Sequence, residues 1–161
     1  MLLPEPKIPI SEGFSLIGIS TEMSFAENKT GQLWQKFIPL KMSILGKKQI
    51  DLFSVEVYKD LSFFSNFNPA ANFTKWAAIR KEEVEKAPSE FEILEIPEGK
   101  YAIFNYKGSS SEAPQFYQRI FQQWLPSSGF QLDDRPHLAI MGEKYKNNDP
   151  TSEEEIWIPI K

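Results

Sequence analysis

Two segments of the sequence repeat the same pattern of apolar residues followed by proline. The first is residues 33–39 (LWQKFIP) and the second is residues 120–126 (IFQQWLP). Each segment places its apolar pairs four residues apart, which is the spacing of one face of an amphipathic helix. Because a proline ring clashes with the preceding turn, we predict that each helix ends at its proline, Pro39 in the first segment and Pro126 in the second.

Strand-like segments flank both predicted helices in the same order. One precedes each helix, at residues 14–21 and 100–107, and two follow it, at 51–58 and 73–80 in the first half and at 137–145 and 154–160 in the second. Residues 91–96 add a further short strand. Each half therefore reads strand–helix–strand–strand. This order predicts an α+β fold in which two main helices pack on an antiparallel sheet.

The length of the chain, 161 residues, is typical of one domain. We predict a single domain over residues 1–161, built from similar halves at about residues 11–85 and 90–161. Helices that end in an apolar pair and a proline are common by themselves. The repeated order of the flanking strands is what favours an internal duplication.

Composition excludes several classes of function. The formal charge is −4, from 18 basic and 22 acidic side chains, which is unlike a protein that binds the phosphate backbone of a nucleic acid. The chain has no cysteine and one histidine, His137, for which a structural or exposed role is favoured over metal binding. We expect no metal and no cofactor. The N-terminal residues do not resemble a signal peptide and no segment is apolar enough to span a membrane, so we predict a cytoplasmic protein with no membrane partner.

Several short motifs, spread over most of the chain, resemble the GyrI-like effector-binding family. They are residues 77–83 (AAIRKEE), 91–92 (FE), 96–104 (IPEGKYAIF), 107–108 (KG), 124–130 (WLPSSGF), 135–136 (RP) and 155–160 (EIWIPI). The resemblance implies two strand–helix–strand–strand modules, related by a pseudo-twofold axis, that enclose a central ligand cavity. In that family the domain often follows a DNA-binding helix-turn-helix and binds small, often cationic, drug-like molecules. This chain begins almost directly at its first strand and therefore resembles the stand-alone members, which include gyrase inhibitors and hydrolases of small electrophilic compounds.

The closing strand supplies the first candidate for ligand binding. Alternation along a strand places Ile156, Ile158 and Ile160 on one face, which must be core, and Glu155 with Trp157 on the other. A carboxylate beside an indole in a pocket would bind a cationic ligand by charge and by cation–π attraction. The alternative is that the Glu run at 153–155 is a solvated start of an edge strand. The family has an acidic residue followed two places on by an aromatic one in this strand, which favours Glu155.

Four further aromatic residues are candidates for the pocket walls: Tyr58, Trp76, Phe104 and Tyr106. Large rigid aromatic side chains suit promiscuous sites because they offer a wide contact area at low entropic cost. The alternative for each of them is an ordinary place in the core, which is the commoner fate of an aromatic residue in a strand.

Two departures from the family pattern shape the functional hypotheses. The family usually has tyrosine where Trp157 stands, and an indole cannot shuttle a proton at neutral pH. The family also has Phe-Glu where Leu138 and Ala139 stand, so the ligand is expected to shift toward neutral or weakly cationic compounds. We therefore predict a stand-alone small-molecule-binding protein that senses or sequesters its ligand. The alternatives are a hydrolase with Glu155 as its catalytic general base, and a gyrase-inhibitor-like module with a protein partner.

Overall fold

A computed structural model describes residues 3–161 of the chain. In this part of the chain, eight strands form one antiparallel sheet in the order β1-β6-β8-β7-β3-β4-β2-β5. The strands are β1 (Ile10–Ser11), β2 (Phe14–Met23), β3 (Leu52–Val57), β4 (Phe73–Arg80), β5 (Glu92–Ile96), β6 (Gly99–Lys107), β7 (His137–Met141) and β8 (Glu153–Ile160). The sheet curls into a half-barrel, and the α+β class predicted from the sequence is confirmed.

Four α-helical segments of the described part of the chain accompany the sheet. They are α1 (Thr30–Leu45), α2 (Ser62–Ser65), α3 (Ala113–Arg119) and α4 (Leu125–Ser128), and a π-helical turn (Ile120–Trp124) joins α3 to α4. Short 3-10 turns lie at Lys81–Glu83 and Ser110–Glu112. Within residues 3–161, no helix combines the length and the apolar character that a membrane crossing requires.

The prediction that both helices end at a proline is wrong. Helix α1 continues past Pro39 to Leu45, and the second helical segment continues past Pro126 to Ser128. In α1, apolar side chains beyond the proline, such as Leu40 and Ile44, still pack on the sheet, and this burial offsets the hydrogen bond that proline removes.

The second helical segment accommodates its proline by widening. The Leu125 N–H, just before Pro126, donates to the Ile120 carbonyl across a π turn instead of an α turn. The segment then ends at Gly129, whose φ of 80° is the left-handed conformation typical of a helix C-terminus.

The predicted strand–helix–strand–strand order is present in both halves of the sheet. The strands of the first half lie in the order β3-β4-β2 and those of the second half in the order β7-β8-β6, so that β3 and β7 meet at the centre. Val55 pairs with Leu138 across this centre, and their outer neighbours are Trp76 and Trp157. This arrangement is the one that a duplication would produce, while the single domain and the extents of its halves stay predictions.

The two faces of the sheet form separate parts of the core. On one face, Phe37 of α1 packs on Ile17 and Ile79, and Phe116 of α3 packs on strands β6 and β8. We call this the helix face. On the opposite face, side chains of the curled sheet pack against one another and include Leu16, Phe53, Val55 and Leu138. We call this the inner face.

Candidate functional site

The two middle strands of the sheet lie between the helical segments on the helix face. Helix α1 packs over β2 and β4, while α3 and the π turn pack over β6 and β8, so a groove remains above β3 and β7. We call this groove the central valley and define it by the helix-face side chains of its two strands: Leu52, Ser54, Glu56, His137, Ala139 and Met141. The middle row across the sheet reads Ala77, Ser54, Ala139, Ile156, and its two central side chains, Ser54 and Ala139, are small.

An ion pair lies beside the aromatic His137 in the next row of the valley. Glu56 on β3 pairs with Lys75 on β4, and the Lys75 Nζ lies 3.7 Å from the Glu56 Oε2. The side chains of Lys75 and Glu56 are only 12% and 17% exposed. Removing two charges from water costs free energy, and the attraction between the charges roughly offsets that cost. This pair therefore adds little stability.

A second carboxyl group, that of Glu154, enters the valley from β8. Glu154 alternates with Glu155 and therefore shares the helix face with Ile156. Burial raises the pKa of Glu154 to about 7, against the opposing influence of the Lys75 charge. Among residues 3–161 no group donates a hydrogen bond to this carboxyl. Glu154 is therefore close to half ionised at neutral pH.

The Tyr117 hydroxyl of α3 lies near both carboxyl groups. Burial raises the pKa of Tyr117 well above its usual value, and the charges of Glu56 and Glu154 raise it further. Tyr117 therefore stays a neutral phenol that can donate a hydrogen bond to a ligand or to either carboxylate.

Aromatic rings close the end of the valley at which β7 begins. Phe64 of α2 packs with near-parallel planes against Phe121 of the π turn and against His137, with ring centroids 5.2 Å and 5.3 Å away, and Phe121 also contacts His137 at 6.1 Å. The Tyr58 ring contacts His137 edge-on at 5.0 Å. Burial, and secondarily the Arg135 charge, lowers the pKa of His137 to about 3, so its imidazole is neutral. No group of three or more His, Asp or Glu side chains in the described residues is arranged to hold a metal ion.

A solvent-open cavity of about 540 Å³ adjoins the other end of the valley. It lies where β3 begins, β7 ends and β8 begins, and its lining includes Glu154, Glu155, Asp51, Glu143 and Ile140. Its volume is within the range of pockets that hold small molecules.

Three of the residues predicted from the sequence lie on the inner face. The Trp157 Nε1 donates a 3.1 Å hydrogen bond to Glu155 Oε1, and the Trp157 ring packs against Phe14 and Tyr101 at 6.4 Å and 5.2 Å. Trp76 is 8% exposed and belongs to the core of the same face. The structure thus brings Glu155 and Trp157 together, and Glu155 is exposed at the cavity. Trp76 is buried in the same row of the sheet as Trp157, with Val55 and Leu138 between them.

The other three predicted residues lie on the helix face, in two places. Tyr58 contributes to the aromatic end of the valley. Phe104 and Tyr106 are buried beneath α3, where both rings contact Phe116, and the Tyr106 hydroxyl donates to the Ser109 carbonyl. They do not reach Glu155, Trp157 or the valley, because α3 covers them.

Sequence reasoning missed four residues of the valley: Glu56, Lys75, Tyr117 and Glu154. A signal for Glu154 was present, since it is in phase with three isoleucines that had to face the core. A charged residue in phase with a core face requires a partner or a ligand. For Glu56 and Lys75 no comparable signal exists, because their proximity depends on the pairing of β3 with β4.

Comparison with known proteins agrees with this architecture. The chain is 25% identical over 148 residues to the transcriptional regulator BrlR of Pseudomonas aeruginosa, a match that covers 91% of this chain but 52% of BrlR, so the chain spans about half of that relative. The structure of SAV2435 bound to tetraphenylphosphonium superposes with a TM-score of 0.70 at 14% identity and covers 98% of this chain and 94% of SAV2435. The C-terminal domain of EcmrR superposes with a TM-score of 0.65 at 15% identity, covering 100% and 99% of the two chains. These two structures show a shared fold.

A family model settles the relationship. The model of the GyrI-like small molecule binding domain matches residues 4–161, which is nearly the whole chain. The resemblance noted from the sequence motifs is thereby confirmed, and so is the expectation of a domain that binds small molecules. The chain belongs to the GyrI-like small-molecule-binding domain family.

Proposed function

We propose that this protein binds a small aromatic compound of low positive charge in the central valley, with Glu154 as the anchoring group. The observation that carries the proposal is the state of Glu154, a partly buried carboxyl that borders the solvent-open cavity and accepts no hydrogen bond from residues 3–161. A buried carboxyl without a donor destabilises the fold whenever it is ionised. A ligand cation would supply the missing partner and recover part of that cost.

The rest of the valley supports an aromatic ligand. Tyr58, Phe64, Phe121 and His137 offer ring faces and edges at one end, and the cavity of about 540 Å³ leaves space at the other. Aromatic side chains attract apolar rings by area and attract cations by their π faces. The floor of Ser54 and Ala139 is small enough for a ring to approach the sheet.

Two of the relatives support the chemical class and the role. SAV2435 was solved with tetraphenylphosphonium, an aromatic cation, and BrlR is a transcriptional regulator. We extend the ligand class of the first to this chain and propose that the protein senses or sequesters such a compound. The proposal replaces Glu155 by Glu154 as the anchor, because Glu155 is exposed and already accepts a hydrogen bond from Trp157.

Calorimetric titration with tetraphenylphosphonium at pH 8 tests the proposal, with Glu154→Gln and Glu155→Gln as a matched pair. The two substitutions remove the same charge from neighbouring residues on opposite faces of β8. We expect Glu154→Gln to weaken binding by about tenfold or more, which is about 1.4 kcal/mol, and Glu155→Gln to leave it within about twofold. Loss of binding in Glu155→Gln alone would mean that Glu155, on the inner face, is the anchoring group. Absence of binding in the unaltered protein would refute the proposed function.

Hydrolysis is the second candidate function, and the same carboxyl supports it. A glutamate with a pKa of about 7 is poised to accept a proton from water, and the neutral Tyr117 nearby can donate a hydrogen bond to a leaving oxygen. In this candidate mechanism the general base is Glu154 instead of Glu155. Chromatography of small epoxides and activated esters after incubation distinguishes the candidates, because a binding protein returns the compound intact.

A further inference from the structure

We propose that Lys75 determines how strongly the central valley prefers a cation over a neutral compound. The Lys75 ammonium neutralises part of the negative charge that the valley would otherwise present to a ligand. The inference rests on the proposed function, since it assigns the charge selectivity of the same site.

The position of Lys75 carries the argument. Its ammonium lies 3.7 Å from Glu56, and both side chains are more than four-fifths buried. The charge of Lys75 also reaches Glu154, because it opposes the rise in the pKa of that carboxyl. One lysine therefore interacts with a carboxyl group on β3, within the valley, and with a second one on β8, at the edge of the valley.

The charges that meet in the valley decide which ligand fits best. When both carboxyl groups are ionised, Glu56, Glu154 and Lys75 sum to a single negative charge, which one ligand cation neutralises. Without Lys75 the same carboxyl groups would carry two negative charges. Because Coulomb interactions are stronger in a partly buried groove than in water, the lost ammonium would raise the affinity for a cation much more than the affinity for a neutral compound.

The floor of the valley does not alter this charge sum. Ser54 and Ala139 are uncharged, and His137 is neutral because burial lowers its pKa to about 3. Tyr58 and Tyr117 also remain neutral, since burial raises the pKa of each phenol. Among the side chains that define or enter the valley, Glu56, Glu154 and Lys75 therefore supply the charge that a ligand meets.

A pair of probes that differ mainly in charge isolates this effect. Tetraphenylphosphonium carries one positive charge at its centre, while triphenylphosphine oxide is a neutral aromatic compound of related shape. Affinities for both are measured by tryptophan fluorescence at pH 8 and low salt, for the unaltered protein and for Lys75→Met and Lys75→Arg. We expect Lys75→Met to raise the ratio of cation to neutral affinity by about tenfold or more, and Lys75→Arg to leave that ratio within about twofold.

A third variant, with the opposite expected effect on the affinity ratio, distinguishes a change in charge selectivity from a folding defect. Glu56→Gln keeps Lys75 but removes its carboxylate partner, so the ratio of cation to neutral affinity is expected to fall. A purely structural ion pair would change both affinities together and leave the ratio constant in all three variants. That result, with tetraphenylphosphonium still bound through Glu154, would overturn the role of Lys75 and leave the proposed function intact. If the unaltered protein bound neither probe, the proposed function would fail and the role of Lys75 with it.

Discussion

Glu154 should make the protein less stable as the pH rises through neutrality. Burial raises the pKa of this carboxyl in the folded protein from the 4.5 of an ordinary glutamate to about 7. A group whose pKa is raised by folding stabilises the folded state below its unfolded pKa, and this contribution disappears as the pH rises through the folded pKa. The glutamine variant has no proton to lose at this position.

The size of the effect follows from the shift. One pKa unit is equivalent to 1.36 kcal/mol, so a rise from 4.5 to about 7 amounts to about 3 kcal/mol over the whole titration. Between pH 5 and pH 8 the accessible part is about 2.5 kcal/mol. We therefore expect the unfolding free energy of the unaltered protein to fall by this amount relative to that of Glu154→Gln.

Urea denaturation at intervals between pH 5 and pH 8 measures this difference. His137 titrates in the opposite sense, because its lowered pKa of about 3 makes stability fall as the pH drops below 6.5. His137 is present in both proteins, so its contribution cancels in the comparison. Glu155→Gln, a change at an exposed residue, serves as the control and is expected to follow the unaltered protein. Parallel pH profiles for Glu154→Gln and the unaltered protein would refute the reasoning, since they would mean that Glu154 is not held out of water.

Two further predictions concern the frame that positions the valley, both checked by urea denaturation. Phe37→Ala removes a fully buried ring that stacks on Phe91 with ring centroids 5.6 Å apart. The change should lower the unfolding free energy by about 3–5 kcal/mol. A loss below about 1 kcal/mol would contradict the packing of α1 on the sheet. Gly18→Ala should cost about 1–3 kcal/mol because its methyl group would clash with the Ala77 carbonyl oxygen of β4, whereas Gly31→Ala in α1 meets open space and should not destabilise. Equal effects of the two changes would count against the close approach of β2 and β4.

The sequence was sufficient to predict the fold because its signals were local and repeated. The apolar pairs at 33–38 and 120–125 indicated both main helices, and alternating residues indicated the strands on either side. The helix ends were predicted wrongly because only the hydrogen bond that each proline removes was considered. The packing that a longer helix gains was left out. In the structure, Leu40 and Ile44 pack on the sheet beyond Pro39, and a π turn precedes Pro126.

The site was harder to predict, because it depends on which strands lie between the two main helices. Alternation correctly separated Glu155 and Trp157 from the isoleucines of β8, but it could not show that the face bearing the isoleucines also contains a groove. The groove exists because each helix covers an outer pair of strands. Its small floor residues, Ser54 and Ala139, come from different halves of the chain.

The charged side chains of the valley are difficult to explain by folding alone. The Lys75–Glu56 pair is buried at a desolvation cost that largely cancels its attraction, and Glu154 reduces stability at neutral pH. Apolar residues at these positions would continue the packing of Ala77 and Ile156, which lie in the adjacent row. A fold selected only for stability would therefore have no reason to place two carboxyl groups and one ammonium above its central strands. The ligand that we propose to pair with Glu154 would account for these charges, because the stability that the ionised carboxyl costs the fold would be recovered as binding free energy.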